Sequence, residues 1–307
     1  MAITATSATN ASKSPSRNRS RHSGAGATFV APFMIVFLAM FVAPLAYAAY
    51  LSLFRTQIVG GTVFVGLDNY AQALKDSQFL SGIGRIALFF VIQVPIMLVL
   101  ATLFALMIDS GRVRAPKIFR VVFFVPYAVP AVVAALMWGY LYGAKFGPFA
   151  QLARDLGTAQ PHFLSASHLL PSIANVVTWE FAGYNMIILY AALQAIPTEL
   201  YEAASMDGAG PIRTALLIKL PLLRPALGVI LLFSVIGAFQ LFNEPRVLQP
   251  AAGSVITPNW TPNLYAYNLA FTDQRLNYAA AVSFLLGFII LLATYLVFGL
   301  GRLRRRS

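Results

Sequence analysis

Six stretches of this chain are each apolar over roughly the 20 residues a helix needs to cross a bilayer core. They fall at about 29–54, 86–108, 121–142, 174–196, 225–242 and 279–300. Such a chain has few folds open to it, because in hydrocarbon every backbone N–H and C=O must be satisfied inside the protein, and helices do this one segment at a time. The expected fold is all-α and integral to the membrane, with six transmembrane helices. Composition agrees: of 307 residues, 59% are hydrophobic and 10% charged, against about 25% charged in a soluble domain. The first stretch is too long for a signal-peptide core, although Ala46-Tyr47-Ala48 mimics a cleavage site, so it is expected to be retained as a span.

The net charge of +12 would suggest nucleic acid in a soluble protein. Here the basic residues flank apolar segments, which is the positive-inside pattern, so membrane lipid is the expected surroundings and no nucleic-acid partner is expected. Grouping the loops alternately places Lys13, Arg17, Arg19, Arg21, Arg112, Arg114, Lys117, Arg120, Arg213, Lys219, Arg224, Arg302, Arg304, Arg305 and Arg306 on one side. Arg55, Lys75, Arg85, Lys145, Arg154, Arg246 and Arg275 fall on the other, over longer loops. Both termini and the 198–225 loop are therefore expected to be cytoplasmic. Residues 1–28, acid-free and rich in Ser, Thr and Ala, read as a disordered basic tail ahead of a membrane domain at 29–307; an organellar transit peptide has a similar composition.

The chain has no cysteine, and its three histidines have no acidic or histidine partner at metal-ligand spacing, so neither a metal site nor a catalytic residue is expected. None of the five lysines follows a glycine, which excludes a phosphate-cradling GxxxxGK[ST] loop. Pro44, Pro95, Pro126, Pro130 and Pro171 lie in or beside the spans and predict kinked helices.

A polar group inside a span is costly and marks either a solute pathway or a contact between helices. Glu180, Tyr184 and Asn185 in the fourth span, and Gln240 and Asn243 near the end of the fifth, are the candidates. Trp179 and Tyr184 have faces on which a sugar can stack, while Asn185 and Gln240 can bond its hydroxyls. Glu180 has a second reading, an ion pair with Arg85 inside the bundle.

The longest polar interruption is 198–225, which reads as two short helices about a hinge. Thr198 can cap the first helix, with Glu199 and Glu202 in its early turns. Ala203 and Ala204 would form a narrow face, Gly208 or Gly210 a left-handed stop, and Pro211 the first position of the second helix. Leu220-Pro221 would end that helix and Pro225 open the fifth span.

In order and spacing, Glu202-Ala203-Ala204, Asp207-Gly208-Ala209 and Ile218-Lys219-Leu220-Pro221 resemble the EAA motif of binding-protein-dependent ABC importer permeases. The resemblance runs along nearly the whole chain from about Phe29, with a core at about 80–300, and points to the carbohydrate-uptake branch. It rests further on Val65-Gly66-Leu67-Asp68-Asn69-Tyr70, Phe119-Arg120, Phe124-Val125-Pro126, Trp138, Leu193-Gln194-Ala195-Ile196-Pro197 and Tyr278-Ala279-Ala280-Ala281. Departures are Ala215, where many members have an aromatic residue, Pro211-Ile212 for a polar-aromatic pair, and Gly84-Arg85 for Asn-Thr.

The resemblance implies a type I importer permease fold in a bacterial inner membrane. It implies a second, homologous permease, two ABC ATPase subunits that bind ATP and Mg, and an extracytoplasmic solute-binding protein. The 198–225 loop would couple to the ATPase through Glu202, Ala203, Ala204, Asp207, Gly208, Leu220 and Pro221. Two other expectations stay open: a permease of the same architecture for a glycerol phosphate or polyamine, and an ion-coupled secondary transporter using Glu180.

Overall fold

The structure, a computed structural model, describes residues 23–57 and 59–303; the tail at 1–22 and Arg304, Arg305 and Arg306 lie outside the described residues. Two units are distinguished, Met1–Ala48 and Ala49–Ser307. In the first, α1 (Ser23–Phe37) passes through a π turn at Leu38–Val42 into α2 (Ala43–Ser52), which carries Pro44. Proline has no N–H and crowds the carbonyl four residues back; the wider π turn ahead of it relieves that clash.

In the second unit a two-stranded antiparallel ribbon, β1 (Phe54–Gln57) and β2 (Gly61–Phe64), interrupts the helical pattern. After α3 (Asp68–Ala73) comes the 33-residue α4 (Ser77–Asp109), about 50 Å long at 1.5 Å per residue. Then come α5 (Pro116–Ala128), α6 (Ala131–Leu141), α7 (Pro148–Asp155) and the 26-residue α8 (Leu169–Gln194). The polar loop contains α9 (Glu199–Met206), α10 (Pro211–Thr214), a second π turn at Ala215–Lys219 and α11 (Leu220–Leu222). The chain ends through α12 (Arg224–Phe239), α13 (Asn243–Ala252), α14 (Pro262–Phe271) and α15 (Leu276–Leu303).

Four helices are long and apolar enough to cross a membrane unbroken: Thr28–Ser52, Ser77–Asp109, Leu169–Gln194 and Leu276–Val297. The third and fifth expected spans are instead bent pairs, 96° between α5 and α6 and 62° between Pro211–Leu222 and Arg224–Phe239. The first break falls at Val129-Pro130, where Val129 is extended and Pro130 caps α6, as the restriction on a residue before proline requires. Pro95 sits within α4 without interrupting it, and Pro171 lies in the first turn of α8, where no donor is lost. The helix-breaking role expected of these prolines thus falls to Pro130.

The core is built on α4 and α8, which pack along each other, and is divided into two apolar clusters. One joins Phe79, Ile86 and Phe89 of α4 to Leu169 and Ile173 of α8, with α12, α14 and α15 around them. The other joins Met97, Ala101, Ala105 and Ile108 of α4 to Met186, Leu189 and Leu193 of α8, with Phe119 and Phe123 of α5 and Leu223 and Ile230 alongside. Gly183 of α8 lets α5 approach at backbone range, since a Cβ there would lie 1.6 Å from the Phe123 carbonyl oxygen. Between the clusters the apolar sequence is interrupted on both helices, by Gln93 midway along α4 and by Glu180 on α8.

Candidate functional site

A cavity of about 460 Å³ opens where the two clusters part. Glu180, Tyr184, Asn185, Gln240 and Asn243 all line it, so residues widely separated in sequence share one wall-to-wall space. Asn243 is the first residue of α13 rather than the end of the fifth span, because the helix breaks over Gln240–Phe242. Asn185 is buried and donates to the Met97 sulfur at 3.3 Å. Glu180 is 3% exposed, and neither of its oxygens has a hydrogen-bond partner. The ion pair with Arg85 does not form: Arg85 donates to the Asn259 and Trp260 carbonyls at 3.2 and 3.1 Å, which the turn before α14 leaves free.

The aromatic wall differs from the expected one. Tyr184 stacks on Tyr127, with centroids 4.3 Å apart and planes 16° apart, and Phe181 meets Tyr127 edge-on. Trp179 faces away, edge-on to Trp138 at 5.8 Å. Gln93, Tyr127, Phe181 and Glu244 line the cavity too and were not singled out from sequence. Gln93 carried the same signal as Asn185, a lone amide in an apolar span. Tyr127 carried the same signal as Tyr184, a phenol within a span, and the packing of α5 on α8 brings the two together.

The second site is the 198–225 loop. α9 ends as expected: Gly208 has φ +73°, and the Ala209 N–H closes back on the Ala204 carbonyl at 2.9 Å, the left-handed stop for which glycine is suited. Pro211 opens α10. Three details depart from expectation. Thr198 occupies the cap position without a side-chain cap bond. Ala204 is buried while Ala203, Glu202 and Asp207 are exposed, because neighbouring helical residues point about 100° apart. Pro221 does not stop the helix: the π turn, closed by the Leu220 N–H on the Ala215 carbonyl, carries it through to Leu222. This turn starts six residues before its proline, the same offset as Leu38 to Pro44. Ala215, lacking the common aromatic side chain, begins it.

Lys219 fixes the loop to the bundle through an ion pair with Asp109 at the end of α4, and Gln194 at the end of α8 donates to the same carboxylate at 2.9 Å. The Lys219 ammonium also lies 4.7 Å from the Tyr201 ring centre. Outward of this node stand Met206, Ile212, Leu216 and Leu217, with Ile212 77% exposed. Gly210, Pro211, Ile212, Arg213, Leu216 and Leu217 shape an open apolar hollow.

A helical membrane bundle with a polar cavity at mid-length and one displayed apolar loop belongs, as a class, with membrane transport proteins. The particular family follows from comparison: residues 98–306 match the binding-protein-dependent transport system inner membrane component family, and the chain belongs to it. The lactose transport system permease protein LacF of Rhizobium radiobacter is 27% identical over 91% of this chain and 95% of that protein. The sn-glycerol-3-phosphate transport system permease protein UgpA of Salmonella typhimurium is 30% identical over 88% and 91%. The diacetylchitobiose uptake system permease protein NgcF of Streptomyces coelicolor is 28% identical over 78% and 71%. In fold the chain is similar to a chain of a bacterial alginate ABC transporter solved in complex with an alginate-bound periplasmic protein. There the TM-score is 0.78 at 20% identity, over 90% of this chain and 93% of that one. The protein is thus a multi-pass inner-membrane permease of a binding-protein-dependent importer, and an ion-coupled carrier is not favoured.

Proposed function

We propose that this chain forms half of the pore of an ATP-driven importer for a sugar or a closely related small polyhydroxyl solute. A second permease of the same kind would complete the pore, and two ATPase subunits holding ATP and Mg would drive it. A solute-binding protein would deliver the cargo from outside, and the termini and the 198–225 loop would face the cytoplasm, as the charge bias supports. This chain itself performs no chemistry on the solute. Two of the relatives that support a carbohydrate are named for lactose and diacetylchitobiose.

The observation that carries the proposal is the form of the loop. Two helices meeting at Gly208 hold Glu202 and Asp207 outward beside exposed Ile212, Leu216 and Leu217, while Lys219 ties the pair to α4 and α8. Such a unit can transmit a push from a cytoplasmic partner to the two helices that flank the cavity. Glu202 is the charged anchor and Gly208 the turn; Ala203, Leu220 and Pro221 shape the docking surface, and buried Ala204 seats it. The cavity residues Glu180, Tyr184, Asn185, Gln240 and Asn243 are proposed to contact the solute in transit.

The test is uptake of radiolabelled lactose, or of whichever sugar the cognate binding protein retains, by cells carrying Glu202→Ala or Gly208→Val. Uptake should fall at least about tenfold, a loss of roughly 1.4 kcal/mol or more in coupling, with membrane insertion unchanged. Normal uptake by both variants would sink the coupling assignment.

A further inference from the structure

The cavity is lined by two carboxyl side chains, Glu180 and Glu244, and by no lysine, arginine or histidine among the described residues. Both acids are buried. Glu244 is the second residue of α13, where free backbone N–H groups favour a carboxylate. Glu180 stands twelve residues into α8 with both oxygens unpartnered. Buried polar groups are almost always satisfied, so an unpartnered carboxyl group at the wall of a cavity leaves a hydrogen-bonding need that a solute can meet. Several bases on the surrounding segments are already engaged. Arg85 is held by the Asn259 and Trp260 carbonyls, and Lys219 by Asp109. Arg246 is held by Gln249 and by the Tyr267 ring.

We infer that this cavity passes polyhydroxyl solutes without negative charge and rejects phosphate esters and uronates. The inference rests on the reading of the cavity as the solute path. Its chemistry follows from the lining: hydroxyl groups donate to Glu180 and Glu244, the Gln93, Asn185 and Gln240 amides serve both as donors and acceptors, and the Tyr127–Tyr184 stack offers an apolar plate to a ring face. An anion entering this space leaves water for surroundings that screen poorly and meets no counter-charge in the lining. The rule separates this chain from a transporter of sn-glycerol 3-phosphate despite the 30% identity to one.

The experiment uses the complete transporter in nanodiscs, without binding protein, dialysed against millimolar radiolabelled lactose, sn-glycerol 3-phosphate or galacturonate. Lactose should be retained at least about tenfold over either anion, the margin expected for a charge that enters without a partner. Supplying a counter-charge from the wall, Gln240→Lys, should shrink that ratio several-fold by admitting the anions, since Gln240 lines the cavity and is exposed. Equal retention of lactose and either anion by the wild type, retention of none of the three, or an unmoved ratio in folded Gln240→Lys overturns the inference. The wild-type ratio decides the matter even where the variant does not fold. ATP-dependent uptake by the same complex in proteoliposomes, with binding protein added, separates the two readings: its absence overturns the importer assignment, whereas intact uptake with unselective retention overturns only the charge rule.

Discussion

At the Ser77 end of α4 and at its Asp109 end, the chain leaves a long apolar helix and must anchor the neighbouring segments, and the two ends do so in opposite ways. Around Ser77 the polar groups are consumed internally. Asn69 donates to the Ser52 and Phe54 carbonyls and accepts from Arg55. Asp76 caps α4 and accepts from the Tyr265 and Tyr278 hydroxyls at 2.6 and 2.7 Å. Arg85 ties α4 to the turn before α14. Around Asp109, Lys219 and Gln194 close on one carboxylate, and beyond them large apolar side chains stand in the open. Exposed apolar side chains occur at both ends, Leu67 and Leu74 near Ser77 as well as Ile212, Leu216 and Leu217, but the last three gather about one open hollow, a shape that suits a partner.

The largest effect is expected where the closed end is most committed. Arg85→Met keeps the packing stem and leaves two carbonyls without their donor, which costs about 2–3 kcal/mol. The unfolding midpoint of the purified chain in detergent should fall clearly, and an unchanged midpoint would show that the Ser77 end is not held from within.

Asp76→Asn comes next, at about 1–2 kcal/mol for weakened bonds to two phenols. Its signature is the pH dependence. Burial by itself raises the Asp76 value, but the hydrogen bonds from Tyr265, Tyr278 and the backbone outweigh it and hold the carboxyl below its ordinary value. A value depressed on folding adds stability that is complete above about pH 4 and is lost as the pH falls through the folded value. Wild type and variant should therefore differ across neutral pH and converge in acid below about pH 4. A constant gap down to pH 3 would contradict the charged clasp.

How much of the molecule is legible in its sequence differs between the regions for a physical reason. The 198–225 loop is readable because its signals are local: Gly208 and Pro211 act on their own backbone, and both stand where expected. The five cavity candidates are readable because polarity inside a span is anomalous wherever it falls. What sequence cannot supply is direction. Arg85 and Glu180 offer a pair of opposite charges in sequence, yet the packing of α14 on α4 decides that Arg85 meets the Asn259 and Trp260 carbonyls. Likewise Trp179 and Tyr184, five residues apart on one helix, are alike as stacking candidates, and α6 takes one ring while α5 brings Tyr127 to the other. Asn69 stands within the 65–70 match, yet neither its role as a clasp nor that of Asp76 is legible there, because their partners are set by packing.

The smallest effect on stability sharpens the contrast most. Ile212 is 77% exposed at the start of α10 and borders the open apolar hollow. Ile212→Ser removes no buried area and leaves the Lys219–Asp109 latch alone, so the midpoint of the isolated chain should move by less than about 0.5 kcal/mol equivalent. If the hollow is an interface, the same substitution deletes an anchor that becomes buried only on assembly, worth about 1.5–3 kcal/mol. Co-purification of the ATPase subunit with the variant should then drop at least about tenfold while the chain by itself melts as before. Equal loss of both would mean that the Asp109 end, too, is held together from inside.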